Sequence, residues 1–473
     1  MKGGWHGGRR FAGVGRGSFA NARLGDLRRT RRLIEVADAF RAGACCGGGG
    51  SITSVIASPH QAKAAYRLLD CPQVTHESVL GGHVQHVREA LREPGVHLLI
   101  EDTTTLEYHG LKQAQGLGPI GESYTRGFWL HSTLAVRWDE QADAVQVLGL
   151  AGQQSWARAP TRRRGRGKSN GRGKESNHAR QRRGDRESQR WASVLAELDA
   201  ASADQPGQLI YVADRESDIY EVFEKCRSQG ISQVIRATHP RALAGELQGL
   251  DLMSAVTQRG RLLGVMEVQV PREKRVARVQ VRSLSVELRG PPRPGGRLAN
   301  HTLNVVQASE TDPPPGCQPL RWTLLTDLPV ATLEQCRRVI RIYRCRWLIE
   351  EFHKALKTGL KIEQSQLSDY RRLSSLAGIV SVVSVFLLQT KFSARTHGEQ
   401  ELEESKVDAT MLTVLSKLHP PLGKPTQRWF WISIARLGGF LARKSDGHPG
   451  WLTLWRGWQT LTILTRGYEL SSA

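Results

Sequence analysis

Acid is what this chain is short of. Its 473 residues carry 45 Asp and Glu against 67 Lys and Arg, a formal charge of +22 with pI ≈ 10.2. That deficit makes an acidic or neutral partner a poor fit. It points to a polyanion, with nucleic acid ahead of an anionic membrane surface. Metal-type cysteine spacing is also missing: seven cysteines occur without a CxxC or Cys/His pattern, which excludes a zinc ribbon and fits structural thiols in a reducing cytosol. The N-terminal "MKGGWHGGRRFAGVGRG" has no apolar h-region, so no secretion signal is expected there. The most apolar run, Leu376–Leu388, is read as too short to span a bilayer, and it carries Ser381 and Ser384. A buried helix is expected instead. Gly167-Lys168-Ser169 invites comparison with a phosphate-binding loop. That loop needs a glycine five residues earlier, where this chain has Arg162, and no strand precedes it. There is no internal repeat.

What remains is the composition of a globular protein, 39% hydrophobic and 24% charged, long enough for two to four domains. The first ninety residues pattern as helices. In "LGDLRRTRRLIEVADAF", Leu27, Ile34 and Ala37 share a face, Asp26 is a candidate N-cap, and Arg28, Arg29, Arg31 and Arg32 lie largely off that face. Those four arginines are either a solvated cationic face or a helix pressed against phosphates. "CCGGGG" (Cys45–Gly50) reads as a break, and Ser58-Pro59 as the capped start of another helix. A helix with Leu80, Val84, Val87 and Leu91 in register follows.

Strands come next: "VHLLIEDTTTLEY", ending on acidic residues, then the paired "FWLHSTLAVRWD" and "AVQVLGLAG". Residues Ala157–Arg190 form an Arg/Gly-rich segment unsuited to a packed core and read as an exposed loop that follows DNA. "WASVLAEL" is helical, "QLIYVAD" is a buried strand, and "SQVIRATHPR" is another. From Leu262 to Leu325 the periodicity becomes two, the mark of an inserted β-rich unit.

The segment Tyr343–Gly359, "YRCRWLIEEFHKALKTG", is expected to be one helix. At 100° per residue, Tyr343, Arg346, Glu350 and Lys357 fall within a stripe roughly 60° wide, and Glu351 falls off it. One carboxylate thus sits among a phenol, a guanidinium and an ammonium. Asp102 and Asp214 each end an apolar strand. Together with Glu350 they could form an oxygen cage for Mg²⁺ or Mn²⁺, or the two aspartates could simply cap strand ends.

On these residues the chain resembles the DDE transposases of the insertion-sequence-four group. That group's Y-(2)-R-(3)-E-(6)-K signature is met by Tyr343, Arg346, Glu350 and Lys357. "IEDTTTLEY" resembles the motif around the first catalytic Asp, Asp102. "VADRESDIYE" resembles the second and selects Asp214 over Asp218. "SFANARLGDLRRTRRL" resembles the end-binding region and "ARLGGFLARKSDGHPGWLTLWRGWQTL" the dimerisation helices.

The resemblance implies an α/β protein with an RNase H-like core (81–375). That core carries the basic loop at 157–190 and a β-rich insertion at about 241–325. A helical DNA-binding domain (1–80) would precede it and a helical dimerisation domain (376–473) would follow. It implies metal-dependent cleavage and joining at Asp102, Asp214 and Glu350, with two Mg²⁺ per site and Mn²⁺ able to substitute. The partners would be double-stranded transposon ends and target DNA, cut through a hairpin by a homodimer in a bacterial cytoplasm. Trp322 would stack on a flipped base, or else be an ordinary sheet aromatic. Arg236, Arg215, Tyr343, Arg346 and Lys357 would contact the strand or its phosphates. A silent DNA-binding relative and a nuclease without strand transfer are the alternatives. Trp451, Trp455 and Trp458 share a helical face that suits either a partner copy or an internal core.

Overall fold

A thirteen-residue strand, β1 (Gly95–Glu107), is the axis of the fold. Its apolar run Leu98–Ile100 has no polar alternation because helices cover the sheet on both faces. On one edge β1 pairs antiparallel with β3 (Arg126–Asp139), and on the other it pairs parallel with β5 (Gly207–Ala213). The protein is described from a computed structural model covering residues 18–43, 50–158, 187–198 and 207–472. Positions 57, 112, 121–124, 271–272, 274, 294–295, 397–399, 403–406 and 444 are excepted. Most of the Arg/Gly-rich segment and of the Cys45–Gly50 run lies outside the described residues.

The sheet has ten strands. β2 (Gly118–Pro119) and β4 (Ala144–Trp156) both pair with β3, while β6 (Ser232–Arg236) lies parallel to β5. Beyond β6 come β10 (Arg321–Thr326), β9 (His301–Glu310), β8 (Arg275–Leu288) and β7 (Arg261–Val270), all antiparallel to their neighbours. The period-two strands therefore extend the core sheet through the β6–β10 pairing and do not form a layer of their own. A bulge in the β3–β4 pairing leaves Gly149 at φ +148. A Cβ there would meet Val87 at 2.6 Å and His83 at 2.7 Å, so only glycine lets the preceding helix approach.

Leu98 and Ile100 face one core and Leu99 the other. The first core is built with α1 (Leu27–Gly43), α2 (Ile52–Val55), α3 (Pro59–Asp70) and α4 (His76–Ala90). Its later helices are α8 (Leu333–Arg344), α9 (Trp347–Lys354) and α10 (Tyr370–Thr396). The second core holds α5 (Glu187–Glu197), α6 (Tyr220–Ser228) and α7 (Leu252–Arg259). Ser58 caps α3 with Pro59 in its first turn, as its sequence signals.

Two expectations are corrected and one open reading is resolved. In α1 the buried face is Leu33, Val36, Ala37 and Phe40, and Leu27 is 74% exposed. Thr30 takes an inner seat, its hydroxyl donating to the Ala22 carbonyl at 3.1 Å so that its burial leaves no polar group unpaired. Asp26 does cap the start, accepting from the Arg28 N–H at 2.8 Å. The apolar run at Leu376–Leu388 belongs to a 27-residue helix that is long and apolar enough to cross a membrane. Leu376, Ile379, Val380 and Val383 are buried inside the protein, as expected of a buried helix, where α10 packs on α4 and β4.

The open reading concerns the tryptophan face. Trp451, Trp455 and Trp458 lie on α13 (Trp451–Ser472), which packs on α12 (Gln427–Leu437) and α11 (Ala409–Leu418). All three indoles are buried within their own chain. Trp458 stacks at 6.1 Å on Trp431 and meets Phe386 edge-on at 6.3 Å.

Candidate active site

The register of β1 and β5 brings the two aspartates together. Their last parallel pair is Glu101 with Ala213, so Asp102 and Asp214 follow side by side. β1 does not end at Asp102 as expected; it runs on to Glu107 against β3, with Asp102 opposite Ser132. Alternation puts Asp102 on the face of Leu98 and Ile100, and Asp214 on the face of Ile210 and Val212. That is the face α8 and α9 cover.

Tyr343–Gly359 is not one helix. α8 ends at Arg344, and the Arg346 N–H bonds the Tyr343 carbonyl at 3.0 Å, three residues back. In such a tight turn positions i and i+3 eclipse, which sets Arg346 under Tyr343. α9 then carries Glu350 one turn on. After Lys354 a π turn, Ala355–Gly359, underwinds the chain and swings Lys357 out of the stripe. Lys357 pairs with Glu363 at 3.4 Å, and Glu363 accepts from the Glu107 N–H at the far end of β1. Glu351 faces away to Lys391 on α10, 2.6 Å off, so the adjacent acids have separate partners.

The outcome is three carboxylates around one guanidinium. Arg346 Nη1 lies 3.7 Å from Asp102 Oδ2 and 3.8 Å from Asp214 Oδ2, while Nη2 donates to Glu350. Each aspartate ties Oδ1 to its own chain, Asp102 accepting from the Thr103 N–H at 2.8 Å and Asp214 from the Arg215 N–H at 2.7 Å. The Tyr343 hydroxyl donates to Asp214 at 3.4 Å.

Burial pushes the Asp102 carboxyl up to about 6, and Glu216 and Asp214 push the same way. The Thr103 N–H and Arg346 only partly offset them. Burial alone would lower the Arg346 value, but Tyr343, Asp214 and Glu350 outweigh it and raise it. Tyr343 is pushed up to about 12 by burial and then by Asp214. One positive charge thus serves three hard oxygen donors and leaves Asp102 under-compensated. A divalent cation suits that donor set. Among the described residues, no three His, Cys, Asp or Glu side chains are close enough to share an ion as they stand.

Trp322 meets the Tyr343 ring edge-on at 5.2 Å, and Arg236 donates to the Arg321 carbonyl at 3.1 Å on the same rim. Arg215 is exposed beside Asp214. Arg28 and Arg31 are exposed on α1, whereas Arg29 bonds the Leu24 carbonyl at 2.9 Å and Arg32 pairs with Glu35 at 2.6 Å. Asp218 is a structural residue. It is buried, held by Arg241 Nε at 2.7 Å and by the Thr238 and His239 N–H groups at 2.8 and 2.9 Å.

Sequence reasoning passed over Glu216, whose carboxyl is raised by burial and by Asp214. It also passed over Glu101 and His131, both fully buried behind β1. The signal for Glu101 was available: an acid one residue from Asp102 in a strand covered on both faces must be buried and needs partners.

Carboxylates of this kind, where they hold divalent ions, can act on a phosphodiester. Two family models match this chain: a Transposase DDE domain over residues 184–386 and a Transposase DNA-binding domain over residues 16–74. Together they support a DDE transposase, a DNA-binding protein of DNA transposition with the metal-dependent activity such a domain implies. Asp214 and Glu350 fall inside the matched DDE residues, Asp102 precedes them, and Arg28, Arg29, Arg31 and Arg32 lie in the matched DNA-binding residues.

Proposed function

We propose that this chain is a cut-and-paste transposase of the insertion-sequence-four group. In this reading it binds the inverted-repeat ends of its element, cleaves them through a DNA hairpin and joins them to target DNA as a homodimer. The observation that carries the proposal is the Arg346 guanidinium set among Asp102, Asp214 and Glu350. The antiparallel meander β1–β3–β4 leading into parallel β5 and β6 supports an RNase H-like core.

Asp102, Asp214 and Glu350 would hold the divalent ions, Mg²⁺ or Mn²⁺. When bound, these supply the Lewis acidity that activates an attacking hydroxyl and stabilises the leaving oxygen. The chain's own groups do the rest. Arg346 keeps three mutually repelling carboxylates together in the metal-free protein, and it lies where it can turn to a phosphate once they are otherwise compensated. Tyr343 orients Asp214 through its hydroxyl. Trp322, propped by Tyr343, offers an indole face to an unstacked base, with Arg236 and Arg215 on the rim for the backbone. Lys357 grips phosphate further along, and the arginines of α1 hold the duplex.

The test is incubation with Mg²⁺ and DNA carrying the element's own ends. Hairpinned ends and joined products support the proposal; binding without cutting, or cutting without joining, favours the alternatives. Glu350→Gln should abolish cleavage and leave end binding nearly intact, and a variant that still cuts at the normal rate removes Glu350 from the site.

A further inference from the structure

Behind the strand that carries Asp102 lies a buried polar chain that the chemistry above does not use. Glu101 and His131 are fully buried, and alternation turns Glu101 and Thr103 to the sheet face opposite Asp102. Glu101 Oε1 accepts from the Thr133 hydroxyl at 2.8 Å and stands 3.1 Å from His131 Nε2. Its other oxygen accepts from the Tyr211 hydroxyl. Two arms leave this hub. Through His131, whose Nδ1 is 2.8 Å from the Thr103 hydroxyl, one reaches the residue directly after Asp102. Through Tyr211, whose oxygen is 2.7 Å from the Ser217 hydroxyl, the other reaches the short turn that Asp214 caps.

The protons form one consistent set. Ser217 donates to Tyr211 and Tyr211 to Glu101. With Thr103 as the donor to His131 Nδ1, Nε2 carries the proton and lies 3.1 Å from Glu101 Oε1, a close contact without a formed hydrogen bond. Every arm then ends on one carboxylate, which could not otherwise stay buried.

We propose that Glu101 is a positioning residue. With His131, Thr133, Tyr211 and Ser217 it fixes the separation of Asp102 and Asp214 from behind the sheet, and so sets the site's affinity for a divalent ion. Buried polar networks of this kind restrict the backbone around them, and residues that orient metal-binding carboxylates typically change metal affinity when altered. This rests on the reading of Asp102 and Asp214 as ion-holding groups.

The test is direct Mn²⁺ titration of the full-length protein by electron paramagnetic resonance, with the melting temperature measured alongside. Tyr211→Phe removes one hydroxyl and keeps the ring in the core; Thr133→Val removes another, and Thr133→Ser restores it. Expected is an Mn²⁺ affinity about 10-fold weaker in Tyr211→Phe and Thr133→Val, and near normal in Thr133→Ser, in protein that still melts cooperatively. Asp102→Asn and Asp214→Asn serve as the reference. If they lose Mn²⁺ while Tyr211→Phe and Thr133→Val bind it normally, the positioning role is overturned. If Asp102→Asn and Asp214→Asn themselves bind Mn²⁺ normally, the reading of the site fails first.

Discussion

Arg346 Nη1 lies 3.7 Å from Oδ2 of Asp102, a carboxyl that burial pushes up to about 6. The guanidinium is thus the cation that lets the metal-free site exist. Arg346→Gln should destabilise the metal-free protein by about 1–3 kcal/mol, the cost of leaving buried charges without their partner. Because a divalent ion would replace the missing charge, Mn²⁺ should raise the melting temperature of this variant more than that of the wild type. Equal increments in the two proteins would count against a compensating role for Arg346.

Asp214 and Asp218 stand four residues apart and should behave oppositely. Asp218 is locked by Arg241 and two backbone N–H groups inside the protein, and removing it strands a part-buried guanidinium. Asp218→Ala should cost about 3–5 kcal/mol in urea unfolding whether or not Mn²⁺ is present. Asp214→Asn should change stability little without metal and abolish the stabilisation that Mn²⁺ gives. Loss of the Mn²⁺ stabilisation in Asp218→Ala with its retention in Asp214→Asn would reverse the assignment.

How much of this was legible in the sequence depended on which interactions were local. The apolar runs of β1 and β5, the Ser58-Pro59 cap and the Tyr343–Arg346–Glu350 spacing are written within a few residues of themselves, and all reappear as elements or contacts. Lys357 was misplaced because uniform helical rotation cannot foresee a tight turn at Arg346 or a π turn after Lys354. The Glu101 chain was missed because its partners come from β3, β5 and the turn after β5, and only sheet register brings them together. Trp458 was ambiguous because an aromatic face reads the same whether another copy or the same chain covers it.

His83 gives the fold a pH dependence away from the site. Its Nε2 accepts from the Leu150 N–H at 3.0 Å, and burial drives its value from 6.5 down to about 4, with His86 adding to the effect. The fold binds fewer protons here than the unfolded chain does. This contribution is therefore complete above pH 6.5 and is lost as pH falls through about 4, on the order of 3 kcal/mol in all. Burial lowers His76 in the same direction. Urea midpoints measured from pH 7 to pH 4 should fall, and His83→Gln, which can still accept from Leu150, should reduce the slope by close to one proton. An unchanged slope would show that His83 titrates normally in the fold.

The tryptophan face of α13 makes the last prediction. Trp458 is 4% exposed and contacts Trp431, Phe430 and Phe386 of its own chain. Trp458→Ala should leave a cavity costing about 3–5 kcal/mol, a loss that belongs to the single chain. The shift in the unfolding midpoint should then be the same at low and high protein concentration, since no association step enters it. A shift that vanishes on dilution would place these indoles in contact with a second copy. A constant shift means that any pairing of copies on DNA uses other residues, and that the aromatic face completes the core first.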